Sequence, residues 1–189
     1  MGPIVVVDTG FVLSVAAVDQ LPVVLANRWK DRATWPHEVQ SELAYRDRRP
    51  GGGIPAGLAR RALNSAHLWL PAPVKLSDEQ QDRAVVITER LGGGDGRHAG
   101  EAAGAVLAAD GGGVLATEDY AAANVLRRQF GVTFTCVCSV LQRLHADGAY
   151  TRADLATALR QLEDKGRPNV DGLSEDDLIS GAWRVRAPL

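Results

Sequence analysis

Cysteine is almost missing from this chain. Two occur in 189 residues, Cys136 and Cys138, too few for a disulfide framework. Read as one face of a strand, Cys-Val-Cys is poorly placed for a local bridge and lacks partners for zinc, so packed thiols are expected. Aromatic residues make up 5% against a hydrophobic content of 46%, which points to an aliphatic core. No apolar run approaches the ~20 residues that cross a bilayer, and no charged region followed by an apolar stretch marks a signal peptide. The expectation is a cytoplasmic protein with no membrane partner. Charge of one sign is lacking too: 21 Lys plus Arg stand against 23 Asp plus Glu, so any contact with nucleic acid must be local. The four histidines show no paired zinc-type spacing. The stretch Gly92-Gly93-Gly94-Asp95-Gly96 follows a helix, where a dinucleotide fingerprint follows a strand, and it has no P-loop lysine.

What is present alternates. Ile4 to Val7 is a β-branched run with no polar face, the pattern of a strand buried in a parallel sheet. Helices are expected over 11–18, 21–32, 36–48, 56–66, 97–110, 121–129 and 139–146, and strands over 33–35, 114–117 and 132–137. Ser77-Asp78-Glu79-Gln80 has the spacing of a capping box and opens a helix to about Leu91. Arg48 to Gly53 reads as a flexible turn. Alternation of this kind means α/β, and 189 residues suit one well-buried domain with a small appendage. From Thr151 onward the composition shifts: Thr151 to Asp154 can cap a helix to about Lys165, Gly166-Arg167-Pro168 breaks it, and Ser174 to Asp177 can cap a last short one. The division expected is a domain over 1–148 and a helical extension over 149–189, which can pack on the domain, embrace a second subunit or hold a partner.

Carboxylates recur in matching settings. Asp8 closes the first apolar run, Glu42 follows Val39, Glu101 sits in Gly100-Glu101-Ala102-Ala103, and Glu118 and Asp119 follow Val114 to Thr117. A strand ending in Asp points charge out of the carboxyl edge of a parallel sheet, where open α/β proteins place their ligands. Acids that converge there require a cation. Hard cations such as Mg²⁺ and Mn²⁺ prefer oxygen donors, and such a site can activate water against a phosphodiester. Each acid also has a plainer explanation. Asp8 can cap a helix, Glu42 can pair with Arg46 one turn on, and Glu101 suits the positive end of its helix. Glu118 and Asp119 compete for one role. Thr9 and Thr117 either cap helices or orient a carboxylate. His98 lies three residues before Glu101 and is not counted among the ligands. Arg46, Arg48, Arg49, Arg60 and Arg61 either flank the cleft for phosphate or form a solvated surface.

The order Val-Val-Asp-Thr-Gly-Phe, Pro-His-Glu-Val-Gln-Ser-Glu-Leu, Gly-Glu-Ala-Ala-Gly-Ala-Val-Leu-Ala, Leu-Ala-Thr-Glu-Asp-Tyr-Ala-Ala resembles the PIN-domain family of metal-dependent ribonucleases, over roughly residues 3 to 145. The third motif is more like the branch of the family with Gly-Glu there than the branch with Asp. The resemblance implies a three-layer α/β fold with a central parallel sheet flanked by helices. It implies Asp8, Glu42, Glu101 and Asp119 as metal-binding and catalytic acids, and its Thr-x-Asp pattern selects Asp119. Glu118 then becomes an auxiliary ligand or, more in keeping with its position, a solvent-facing residue. Also implied are Mg²⁺ or Mn²⁺ as cofactor, an RNA substrate cut to a 5′-phosphate and a 3′-hydroxyl, and a toxin restrained by a small antitoxin protein. A homodimer is compatible with the extra tail. The rival expectation is a PIN-like scaffold that binds RNA or protein without cutting.

Overall fold

The computed structural model describes residues 3–29, 31–49, 54–93 and 97–186. Among them the chain runs β1 (Val5–Val7), α1 (Thr9–Ala17), α2 (Leu21–Trp29), β2 (Ala33–Thr34), α3 (His37–Arg48), α4 (Leu58–Trp69), α5 (Asp78–Arg90) and α6 (Ala99–Asp110). It continues through β3 (Val114–Ala116), α7 (Tyr120–Phe130), β4 (Thr133–Thr135), α8 (Val137–Ala146), α9 (Arg152–Asp164), α10 (Glu175–Ser180) and α11 (Trp183–Arg186).

The four strands form one parallel sheet in the order β2-β1-β3-β4. Because side chains alternate across a strand, β1 serves both faces. Val5 and Val7 enter the larger core with α1, α2, α3, α4, α8 and α9, whereas Val6 and Leu115 enter the smaller one with α5, α6 and α7. The result is a three-layer α/β fold. β1 connects to β2 on one side and β3 lies on the other, so the order reverses between β1 and β3. In an open parallel sheet the crevice for a ligand opens at the carboxyl ends of such a pair, and Asp8 and Thr117 to Asp119 stand there.

Close approach is built into α6. A methyl group at Gly104 would stand 2.7 Å from Leu115 Cδ1, and one at Gly100 would stand 3.2 Å from Val39 and 3.5 Å from Glu42 Oε2. Small residues therefore let α6 lie against the sheet and against α3, which delivers Glu101 to the carboxyl edge. On the opposite side an aromatic group anchors the larger core: Phe11 stacks on Trp29 with centroids 5.8 Å apart, and Trp69 meets both edgewise.

Several expected boundaries move. α2 ends at Trp29 instead of reaching Arg32, and α4, expected over 56–66, runs on to Trp69. β4 stops at Thr135, so Cys136 caps α8 and Cys138 lies in its first turn, where a strand was expected; both thiols are buried and free. The capping boxes at Ser77, Thr151 and Ser174 are formed. The expected turn over 50–53 and the glycine stretch over 94–96 lie outside the described residues. The C-terminal segment packs on the domain: Tyr150, Leu155, Leu159, Leu162, Val170, Leu178 and Trp183 share one buried cluster with Phe11 and Leu25. No helix among the described residues is long and apolar enough to cross a membrane.

Candidate metal centre

Asp8 leaves β1 and caps α1, its Oδ1 accepting the Phe11 backbone N–H at 2.6 Å. Its side chain is fully enclosed, and burial first, then the Glu101 charge, holds its carboxyl well above the usual range; hydrogen bonds from Thr117 and Phe11 oppose this in part. Asp119 caps α7 in the same manner, accepting from Ala122 N–H at 2.9 Å, while its own N–H donates to Thr117 Oγ1 at 3.0 Å. Thr117 thus ties the two capping acids together. Their capping does not exclude ligation, because it occupies one carboxylate oxygen of each.

Glu101 rises from the first turn of α6. Burial, followed by the charges of Glu42 and Asp119, pushes its carboxyl up, with His98 acting the other way. His98 caps α6 in the left-handed conformation at φ 62°. Its Nδ1 is buried without a hydrogen-bond partner, 3.8 Å from Glu101 Oε1 and 3.7 Å from Asp119 Oδ2. One ligand atom each from His98, Glu101 and Asp119 fall within 4.8 Å of one another. The sequence reading set His98 aside; its signal was the three-residue step to Glu101, which the reversed helix start turns into a shared mouth.

Asp8, Glu101, Glu118 and Asp119 line one open cleft of about 430 Å³, together with Gly10, Tyr120, Ala121 and, from the tail, Arg167, Pro168 and Asn169. Glu42 stays outside that lining. It accepts the Thr9 hydroxyl at 2.6 Å on Oε2, and Arg46 Nε and Nη2 at 2.8 and 2.5 Å on Oε1. Its charge still reaches Asp8 and Glu101. The helical pair with Arg46, its plainer explanation, is therefore present, and Thr9 orients a carboxylate as well as sitting at a helix start.

Glu118 departs from expectation. It is 4% exposed and not solvent-facing, because Oε1 accepts the Val137 N–H at 2.7 Å at the start of α8 and the chain there folds over it. Oε2 has no partner. Burial, then the neighbouring Cys136, raises its carboxyl well above the ordinary range, with the Val137 N–H and Arg167 opposing. Of the arginines expected near the cleft, Arg60 pairs with Asp47 and Arg61 with Asp19. Arg167, expected only as part of a helix break, and Asn169 come to the cleft from the tail.

The fit to a hard or borderline divalent cation is good on three observations. Carboxylate oxygens dominate the donor set, buried polar atoms on His98 and Glu118 are left without partners, and burial, with neighbouring charge added to it, raises three carboxyls. His98, Glu101 and Asp119 form the group that could hold it, and Asp8 lines the same cleft outside that group. No family model matches the chain, nor does any curated protein or solved structure.

Proposed function

We propose that this protein is a metal-dependent endoribonuclease of the PIN-like kind, holding Mg²⁺ or Mn²⁺ on Asp8, Glu101 and Asp119 with Glu42 in support. The observation that carries the proposal is convergence. Acids separated by about a hundred residues meet at the sheet's switch point, and among the described residues Asp8, Glu101, Glu118 and Asp119 have no Lys or Arg salt bridge. A divalent cation bound there would neutralise a scissile phosphate and acidify an attacking water. The chain's own groups prepare for it: Thr117 aligns Asp8 with Asp119, Thr9 and Arg46 fix Glu42, and the Phe11 and Ala122 N–H groups hold the capping carboxylates. The motif resemblance supports RNA as substrate, a 5′-phosphate product, a cytoplasmic setting and restraint by a small antitoxin whose basic side chain would enter the acidic cleft.

The test is purified protein with Mg²⁺ or Mn²⁺ against a broad panel of single-stranded and structured RNAs, with product ends analysed. Cleavage that leaves 5′-phosphates and stops with EDTA is expected. An intact panel in both metals would favour the non-cutting scaffold.

A further inference from the structure

A cleft lined by carboxylates repels a polyanion, so a phosphodiester that enters needs a cation the protein itself provides. Of the arginines on α3 and α4, Arg46 is engaged with Glu42, Arg60 with Asp47 and Arg61 with Asp19. Arg167 differs from them in being buried and in lining the cleft itself. It arrives from the break between α9 and α10, and with Pro168 and Asn169 it lines the same cleft as the acids. This segment is pinned at three points. Arg167 Nε donates to Ser14 Oγ at 3.1 Å, Arg167 Nη2 donates to the Gly10 carbonyl at 3.1 Å, and Asn169 Nδ2 donates to the Glu118 carbonyl at 3.0 Å.

Both acceptors of the guanidinium are neutral. The residue is only 6% exposed, yet among the described residues it makes no salt bridge, and Nη1 makes no hydrogen bond. The charges of Glu118 and Asp8 reach it and offset part of the cost of burial, but among the described residues no carboxylate accepts a hydrogen bond from it. Nε and Nη2 are anchored, Nη1 is not, and Arg167 lines the cleft, so the remaining guanidinium donors suit a phosphate's two oxygens, which a lysine does not match. We propose that Arg167 is the phosphate-receiving residue of the cleft, so that the C-terminal segment supplies the cationic half of a site whose acidic half lies on the sheet. The substrate assigned to it is single-stranded nucleic acid, and this rests on the reading of the cleft as a nuclease site.

The experiment measures binding of a short, labelled single-stranded RNA to the full chain in EDTA, so that nothing is cut, across a range of salt. Arg167→Met should weaken binding about tenfold, the loss of one charge-assisted contact, and lower the slope of log affinity against log salt by about 0.7. Arg167→Gln keeps a donor for Ser14 or Gly10 and should show the same lower slope even if Arg167→Met folds poorly. Arg167→Lys should keep the slope. Unchanged affinity and slope in Arg167→Met and Arg167→Gln would overturn the proposal, as would a wild-type chain with no RNA affinity. So would an affinity that falls only in step with thermal stability at constant slope, which would make Arg167 a strut. A parallel Mn²⁺ titration separates the two ideas: wild-type protein that binds RNA through Arg167 but binds no Mn²⁺ would sink the nuclease reading and leave this one standing.

Discussion

The acids of this chain fall into two populations. On the surface, Asp19 meets Arg61 and Gln161, Asp110 meets Arg83 and Gln80, and Asp147 meets Arg28 and Arg143. Hydrogen bonds from Arg61 to Asp19 and from Gln80 and Arg83 to Asp110 hold those carboxyls below the ordinary range. In the cleft, Asp8, Glu101 and Glu118 are pushed above it by burial and by each other. Composition is therefore a poor guide to electrostatics here. A chain close to neutral gathers several buried carboxylates in one cleft, while Asp19, Asp110 and Asp147 meet arginines at the surface.

If the cleft population is a cation site, Asp8→Asn should lower metal-dependent RNA cleavage by roughly 10³-fold, since several kcal/mol of charge stabilisation depend on such a ligand. Gel-based rates under single turnover would show it, and a near-wild-type rate would break the distinction between the two populations. The same substitution should make metal-free protein more stable by about 1–3 kcal/mol, because it relieves crowded charge while asparagine still caps α1. Calorimetry or urea unfolding would measure the gain.

The pH dependence follows from the signs. Folded Asp8, Glu101 and Glu118 bind protons more tightly than in the unfolded chain, so between the ordinary carboxylate range and their raised values metal-free stability should fall as pH rises. Asp19 and Asp110, with lowered values, contribute stability that is present above the ordinary range and lost as pH falls through their folded values. Metal-free melting temperature should therefore peak at mildly acidic pH, and Mn²⁺ should move the peak upward because it binds only ionised carboxylates. The smallest effect belongs to the surface. Asp110→Asn should cost less than about 1 kcal/mol, as exposed pairs do, and leave cleavage unchanged.

Much of the fold was legible because its signals are local. Val5 to Val7 has no polar face, and Ser77 to Gln80 spells a capping box. Strand ends were harder, since Cys136 to Cys138 carries no signal that separates the last turn of a strand from the first turn of α8. Asp8, Glu101 and Asp119 could be named as acids at strand and helix ends. That Glu42 stands behind them depends on the Arg46 and Thr9 contacts, and only Thr9 lies far from it in sequence. Burial of Glu118 and the arrival of Arg167 come from tertiary packing across 19 and more than 150 residues, and nothing local encodes either.

The most direct measurement is Mn²⁺ binding, followed by electron paramagnetic resonance, to wild-type protein, to Asp8→Asn, Glu101→Gln and Asp119→Asn, and to Asp110→Asn as the surface control. Wild type and the control should bind alike, and each cleft variant should lose roughly 10–100-fold or more in affinity, at least as much as removal of an outer partner costs a metal site. Equal affinity in all five proteins, or no binding in any, would contradict the convergence of these acids into a cation site.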